Sequence, residues 1–266
     1  MNSNDKIMIQ DYSLASYYVE MFFNDKKLSN ATCFFTKRRG RRYLISNWHV
    51  VSGKDADTLE CLDATSAAIP NKLHIYLPTN ENDSCFFDNT FVELDLYNAE
   101  DEKVWYELKK NDQMVDIAVI PLENKVEKFI LDIEDAEEPF NEDVKLNIAD
   151  NIYIIGFPFG RIGGVLPIWK RASVASEPSI DLNGMPYYYA DTATKPGMSG
   201  SPVVLYQRRP ITVIDSGEGK LSRHYTKFVG VYSGRIGANT GSKYDAQLGR
   251  VWKAEMIDEI IDLNEK

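Results

Sequence analysis

The sequence predicts an all-β protein, and three observations carry that expectation. Short apolar runs with period-two alternation recur along the chain, as in Tyr17–Phe23 and Ala31–Lys37. Polar turn residues separate them: Asn24-Asp25-Lys26-Lys27 joins those two runs as a hairpin. Helical spacing is sustained only near the end, where Val251, Ala254, Ile257, Ile260 and Ile261 recur with charges between them. A length of 266 residues suits one large all-β unit or two small barrels, and 44% hydrophobic residues with 12% aromatic are enough for two cores.

After the first hairpin, Lys37-Arg38-Arg39-Gly40-Arg41-Arg42 is a hairpin tip with five cations. It reads as a solvated turn or, alternatively, as an electropositive rim attracting acidic substrates. The run Tyr43-Leu44-Ile45-Ser46-Asn47-Trp48-His49-Val50-Val51 is an apolar strand ending in a polar turn. Farther on, Pro78–Ser84 reads as a polar loop, with hairpins around Phe91–Leu96 and Val104–Leu108. Asp116 stands at the mouth of the strongly apolar strand Ile117-Ala118-Val119-Ile120-Pro121-Leu122. The acidic run Glu134-Asp135-Ala136-Glu137-Glu138 reads as a linker.

Composition excludes several function classes. A net charge of −10 argues against a general nucleic-acid or anionic-membrane binder, since neutralising phosphates needs excess Lys and Arg. Cys33, Cys61 and Cys85 are too few for a disulfide framework and have no metal-ligand spacing to a His pair, so neither metal nor cofactor is expected. The first residues lack a positive-then-apolar export pattern, and no segment reaches about 18 apolar residues, so a cytoplasmic location is expected.

The chemistry concentrates at Ala193-Thr194-Lys195-Pro196-Gly197-Met198-Ser199-Gly200-Ser201-Pro202. Gly197 permits a tight turn, which can aim the N–H groups of Gly197 and Ser199 at one point where an oxyanion would form. A serine hydroxyl is a weak nucleophile and needs a base held by an acid. Of His49, His74 and His224, His49 is the candidate base, and Asp116 is the candidate acid.

Asn47-Trp48-His49-Val50-Val51, Asp116-Ile117-Ala118-Val119-Ile120-Pro121-Leu122 and Gly197-Met198-Ser199-Gly200-Ser201-Pro202-Val203 together resemble the three signatures of trypsin-like (chymotrypsin-fold) serine peptidases, nearest to the bacterial branch without disulfides. The order His, Asp, Ser differs from that of α/β-hydrolases and subtilisin-like enzymes. The resemblance runs from about Ala15 to Ile261 and implies two six-stranded antiparallel β-barrels with a C-terminal α-helix. Its implied boundaries are 1–133 for an N-terminal barrel carrying His49 and Asp116, 134–150 for an inter-barrel linker, 151–250 for a barrel carrying Ser199, and 251–266 for the helix. It implies a serine endopeptidase acting on polypeptides through a His49–Asp116–Ser199 triad and an acyl-enzyme, with Gly197 and Ser199 forming the oxyanion hole. Ala193, Thr194, Tyr232, Ser233, Gly234 and Arg235 would line the substrate pocket, with Ser233 also supporting the acid.

Two departures from the family pattern matter. Met198 replaces the Asp that pairs with a freed amino terminus in zymogen-type trypsins, so activation by that salt bridge is not expected. The usual Gly-Thr-Gly before the first hairpin is Ala31-Thr32-Cys33. Ala193 at the pocket base supplies no carboxylate for a Lys or Arg preference. A catalytically silent protease-fold binding module and an esterase are the alternative readings.

Overall fold

A computed structural model describes residues 9–77, 79–81, 84–86, 91–122, 130–137, 144–162, 164–208, 224–235 and 247–265. Helix α1 (Asp11–Leu14) leads into strands β1 (Ser16–Phe23), β2 (Lys26–Arg38) and β3 (Arg41–Ser46), then the short helix α2 (Trp48–Ser52). Strands β4 (Lys72–Tyr76), β5 (Thr79–Glu81), β6 (Ser84–Phe86), β7 (Phe91–Asp95), β8 (Lys109–Lys110), β9 (Gln113–Met114) and β10 (Ala118–Leu122) complete the first unit. The second unit holds β11 (Asn151–Gly156), β12 (Ile168–Val174), β13 (Tyr187–Asp191), β14 (Pro202–Arg208), β15 (His224–Arg235) and β16 (Leu248–Lys253), followed by α3 (Glu255–Asn264).

Six strands of the first unit form an antiparallel sheet in the order β10-β3-β2-β1-β4-β7, curled into a half-barrel, and the second unit is a closed six-stranded barrel. Alternation explains the burial: Tyr17, Val19 and Met21 of β1 face the first core with Phe35 and Leu44. Between the sheet edges, Leu96, Trp105 and Met114 enter the same core. The indole N–H groups of Trp48 and Trp105 both donate to Glu107 Oε2, at 2.8 and 2.9 Å, so side chains fix this segment where the ladder is interrupted.

A second core fills the barrel, with Ile152, Tyr188, Val203 and Tyr232 among its members. A third lies along the seam, where Phe34, Ile45 and Ile117 of the first unit meet Ile155, Val231 and Trp252 of the second. The apolar stripe of α3 (Met256, Ile257, Ile260 and Ile261) packs into that seam.

Several local expectations are corrected. His49 sits on α2, one helical turn beyond β3, rather than at a strand end. Phe91–Asp95 pairs with β4, and Val104–Leu108 forms no strand of its own: Tyr106 bridges Val119, and the Val104 N–H donates to Leu96 O at 3.1 Å. Part of the expected polar loop at 78–84 is paired strand, Thr79–Glu81 against Ser84–Phe86, and Pro78, Asn82 and Asp83 lie outside the described residues. The terminal helix starts at Glu255 and not Val251, because Val251 and Trp252 pair with Tyr188 and Tyr187 as the last residues of a strand.

The four arginines of the cationic tip are paired with acidic groups. Arg38 pairs with Glu134 and Asp258, Arg39 with Asp262, Arg41 with Glu265 at 2.9 Å, and Arg42 with Asp132 at 2.7 Å. The acidic run is correspondingly anchored, not a plain linker. Ile133–Ala136 forms a 3-10 turn with Ile133 and Ala136 buried, and Glu137 accepts the Phe228 N–H at 2.6 Å. Glu138 lies outside the described residues.

Candidate active site

The seam brings the chemistry-bearing residues together. Asn47, at the N-terminal boundary of α2, donates its side-chain amide to the Asp116 carbonyl at 2.7 Å, which ties the helix to the segment entering β10. Asp116 is 3% exposed, and both of its carboxylate oxygens are engaged. Oδ1 accepts the His49 backbone N–H at 2.9 Å, while Oδ2 lies 2.8 Å from His49 Nδ1 and accepts the Ser233 hydroxyl. With Nδ1–H donating to Asp116, Nε2 is left as the basic nitrogen.

Burial would push the His49 imidazole pKa down, but the charge and hydrogen bond of Asp116, with Asp55 adding, hold it above its ordinary value. For Asp116, burial acts upward; the His49 charge, the hydrogen bonds from His49 and the Ser233 hydroxyl outweigh it and hold the carboxyl below its ordinary range. Asp116 is therefore ionised at neutral pH.

Ser199 lines the same cavity as His49 and Gly197; among the described residues the imidazole makes its one hydrogen bond to Asp116 and none to Ser199. The turn around Ser199 is fixed by backbone demands that only glycine meets. Gly197 has φ +97°, and a Cβ there would lie 2.2 Å from the Phe157 carbonyl oxygen; Gly200 has φ +79°, and a Cβ would meet the Thr32 carbonyl oxygen at 2.2 Å. Met198 N–H donates to Lys195 O at 3.3 Å, whereas those of Gly197 and Ser199 donate to none of the described residues. The Pro196 carbonyl is held by Phe159 N–H at 2.7 Å.

Thr32 organises this turn from the first unit. Its N–H donates to Ser199 O at 2.8 Å, its hydroxyl donates to Gly197 O at 2.9 Å and accepts from Phe157 N–H at 3.2 Å, and its own carbonyl accepts the Ser46 hydroxyl at 2.9 Å. The flanking Ala31 and Cys33 are fully buried in the first core. Reading the sequence located this triplet as a departure from the glycine pattern without assigning Thr32 a role. A polar residue inside an apolar strand was the available signal.

The predicted pocket residues divide. Thr194 and Tyr232 are buried and hydrogen-bonded to each other through their hydroxyls. Burial pushes the Tyr232 phenol up to about 12 against the opposing Thr194 bond and Arg235 charge. Its ring lies over Gly249, where a Cβ would come within 2.4 Å. Ser233 is bonded to Asp116 as described; Gly234 and Arg235 follow it at a register shift between β15 and β16. Ala193 is half-buried, and Lys195 is exposed.

A contact invisible to motif reading spans the two units. Arg250 on β16 donates two hydrogen bonds to Asp57, at 2.9 and 3.1 Å, and its guanidinium lies 4.7 Å from the Tyr187 ring centre. His74 is remote in chemistry from this constellation: its ring stacks on Phe91 at 3.9 Å and bonds Glu93 at 3.0 Å. His224 lies in β15.

A half-barrel and a closed barrel meeting at such a site define the class of chymotrypsin-like folds. The sequence profile of the trypsin-like peptidase domain matches residues 31–211, and the chain belongs to that family. Among solved structures, it is similar to the HtrA-type protease AlgW with a tripeptide, at 15% identity and TM-score 0.49, over 94% of this chain and 60% of that one. It is also similar to the serine endoprotease from Yersinia pestis, at 11% identity and TM-score 0.50, over 97% of this chain and 67% of that one. The Rv3671c protease in an inactive form aligns at 15% identity and TM-score 0.45, over 95% and 89%. The chain thus spans about three fifths of the AlgW chain, and at these identities the likeness concerns the fold alone. No curated protein matches the sequence.

Proposed function

We propose that this protein is a serine endopeptidase working through Ser199, His49 and Asp116. The observation that carries the reading is the buried Asp116 carboxylate holding Nδ1 of His49 at 2.8 Å beside a glycine-framed serine in the same cavity. In this mechanism, His49 Nε2 takes the Ser199 proton as the oxygen attacks an amide carbonyl. The N–H groups of Gly197 and Ser199 receive the oxyanion, each donor contributing about 3 kcal/mol to the transition state. His49 then protonates the departing amine, and water releases the acyl group by the same route in reverse. Asp116 fixes the tautomer and stabilises the imidazolium without itself taking the proton.

Activation by a zymogen-type salt bridge has no support in the chain: the residue before Ser199 is Met198, 1% exposed and packed in the barrel core. The Thr32 and Phe159 hydrogen bonds support an oxyanion turn ordered by its own packing.

The test is labelling by a fluorophosphonate probe together with casein hydrolysis. Labelling and turnover that are both abolished by Ser199→Ala are expected. Labelling of a different residue, or casein turnover that survives Ser199→Ala, would reject the assignment; a labelled protein that cleaves only small esters would make it an esterase.

A further inference from the structure

We infer that this protein selects its substrates by an apolar side chain on the leaving-group side of the scissile bond. The inference rests on the peptidase reading above and names the substrate class for the same site. A cavity of about 510 Å³ opens beside His49, Gly197 and Ser199, and its remaining walls come from the first unit and Pro196. None of Tyr232, Ser233, Gly234 and Arg235 lines it, so it lies on the side of the serine away from the β15 residues expected to hold the acyl segment. A peptide threaded through the site therefore places its departing half there.

The chemistry of the walls is mainly apolar. Leu28, Val50, Leu62 and Pro70 line the cavity, and Leu62 is 49% exposed. The loop presenting Leu62 is built on its own hydrogen bonds: Leu62 N–H donates to Gly53 O at 2.9 Å, and Asp55 accepts the N–H groups of Asp57 and Thr58, each at 2.9 Å. The wall is thus formed in advance of binding. Asn30 adds the polar element: its Oδ1 is buried without a hydrogen-bond partner, and Asn30 lines this cavity beside Gly197. The lining carries Lys26, Lys27 and Asp63, and Lys27 is paired with Glu20, so no single charge sign is selected.

The experiment is a synthetic peptide library randomised on both sides of the cut, read by mass spectrometry, with fluorophosphonate labelling of Ser199 run alongside. Leu, Ile, Met or Phe at the first or second position after the cut should be enriched about tenfold over Gly and Asp, the discrimination an apolar pocket provides. Leu62→Ser and Leu28→Ser should each reduce that enrichment several-fold, with labelling reporting whether each variant is folded. Cleavage with no enrichment after the cut overturns the inference and leaves the peptidase reading intact. Enrichment unchanged in both labelled variants also overturns it. Absence of both labelling and cleavage in the parent overturns the peptidase reading, and this inference with it.

Discussion

At the scale of single residues, the Asp116–His49 pair sets the pH behaviour. The base must be neutral to accept a proton, and its pKa is raised, so kcat/KM should climb with pH through a midpoint above the ordinary histidine value of about 6.5. Asp116→Asn removes the charge that opposes burial; the midpoint should move down, and kcat should fall by about 10⁴-fold. A pH–rate profile of both forms checks this, and an unmoved midpoint in the variant would contradict it. Both contributions stabilise, with opposite dependence on pH. The raised His49 value stabilises fully below about pH 6.5 and is lost as pH rises through the folded value; the lowered Asp116 value stabilises above about pH 4 and is lost as pH falls through its folded value. The two contributions overlap most fully between those limits. This pair was legible in the sequence because His49 and Asp116 each lie in a short motif whose residue types announce the chemistry. Asp57 and Arg250 were not legible, because their pairing depends on how β16 approaches a loop far away in sequence.

At the scale of elements, the nucleophile turn depends on β2. The Thr32 hydroxyl joins the Gly197 carbonyl to the Phe157 N–H, so Thr32→Val, nearly isosteric, leaves both buried groups without that partner. The expected result is a loss of about 1–3 kcal/mol in unfolding free energy and a drop in kcat larger than any rise in KM. Denaturant unfolding and steady-state kinetics with a peptide substrate measure both. A variant with wild-type kcat would remove Thr32 from the positioning of the turn. The alternation of β1 and the apolar spacing of α3 were readable from sequence, since burial on one face imposes a period. The start of α3 was misplaced because Val251 satisfies helical spacing and strand pairing alike, and only its partner Tyr188 decides between them.

At the scale of the whole molecule, the basic hairpin tip and acidic groups from α3 and the connecting segment join the two units. The contributions should differ sharply. Asp132 has a side chain 4% exposed and is held by two Arg42 hydrogen bonds of 2.7 and 2.8 Å, so Arg42→Ala strands a buried carboxylate. A loss of about 2 kcal/mol is expected, below the figure for a fully buried pair because the guanidinium is a third exposed. Arg39 and Asp262 are both largely exposed, and Arg39→Ala should cost less than about 1 kcal/mol, fading in molar salt. Urea titrations of the two variants at low and high salt make the comparison; equal losses would contradict it. The sequence displayed both charge runs, yet the partners of the arginines were hidden because they lie 90 to 224 positions away along the chain.

The docking of α3 also has a consequence for biogenesis. Four residues of α3 complete the seam core, and they follow every strand of both units in the chain. A ribosome therefore delivers Ile261 after every other member of the seam core. During translation, the emerging polypeptide lacks part of that shared core until the final stretch arrives.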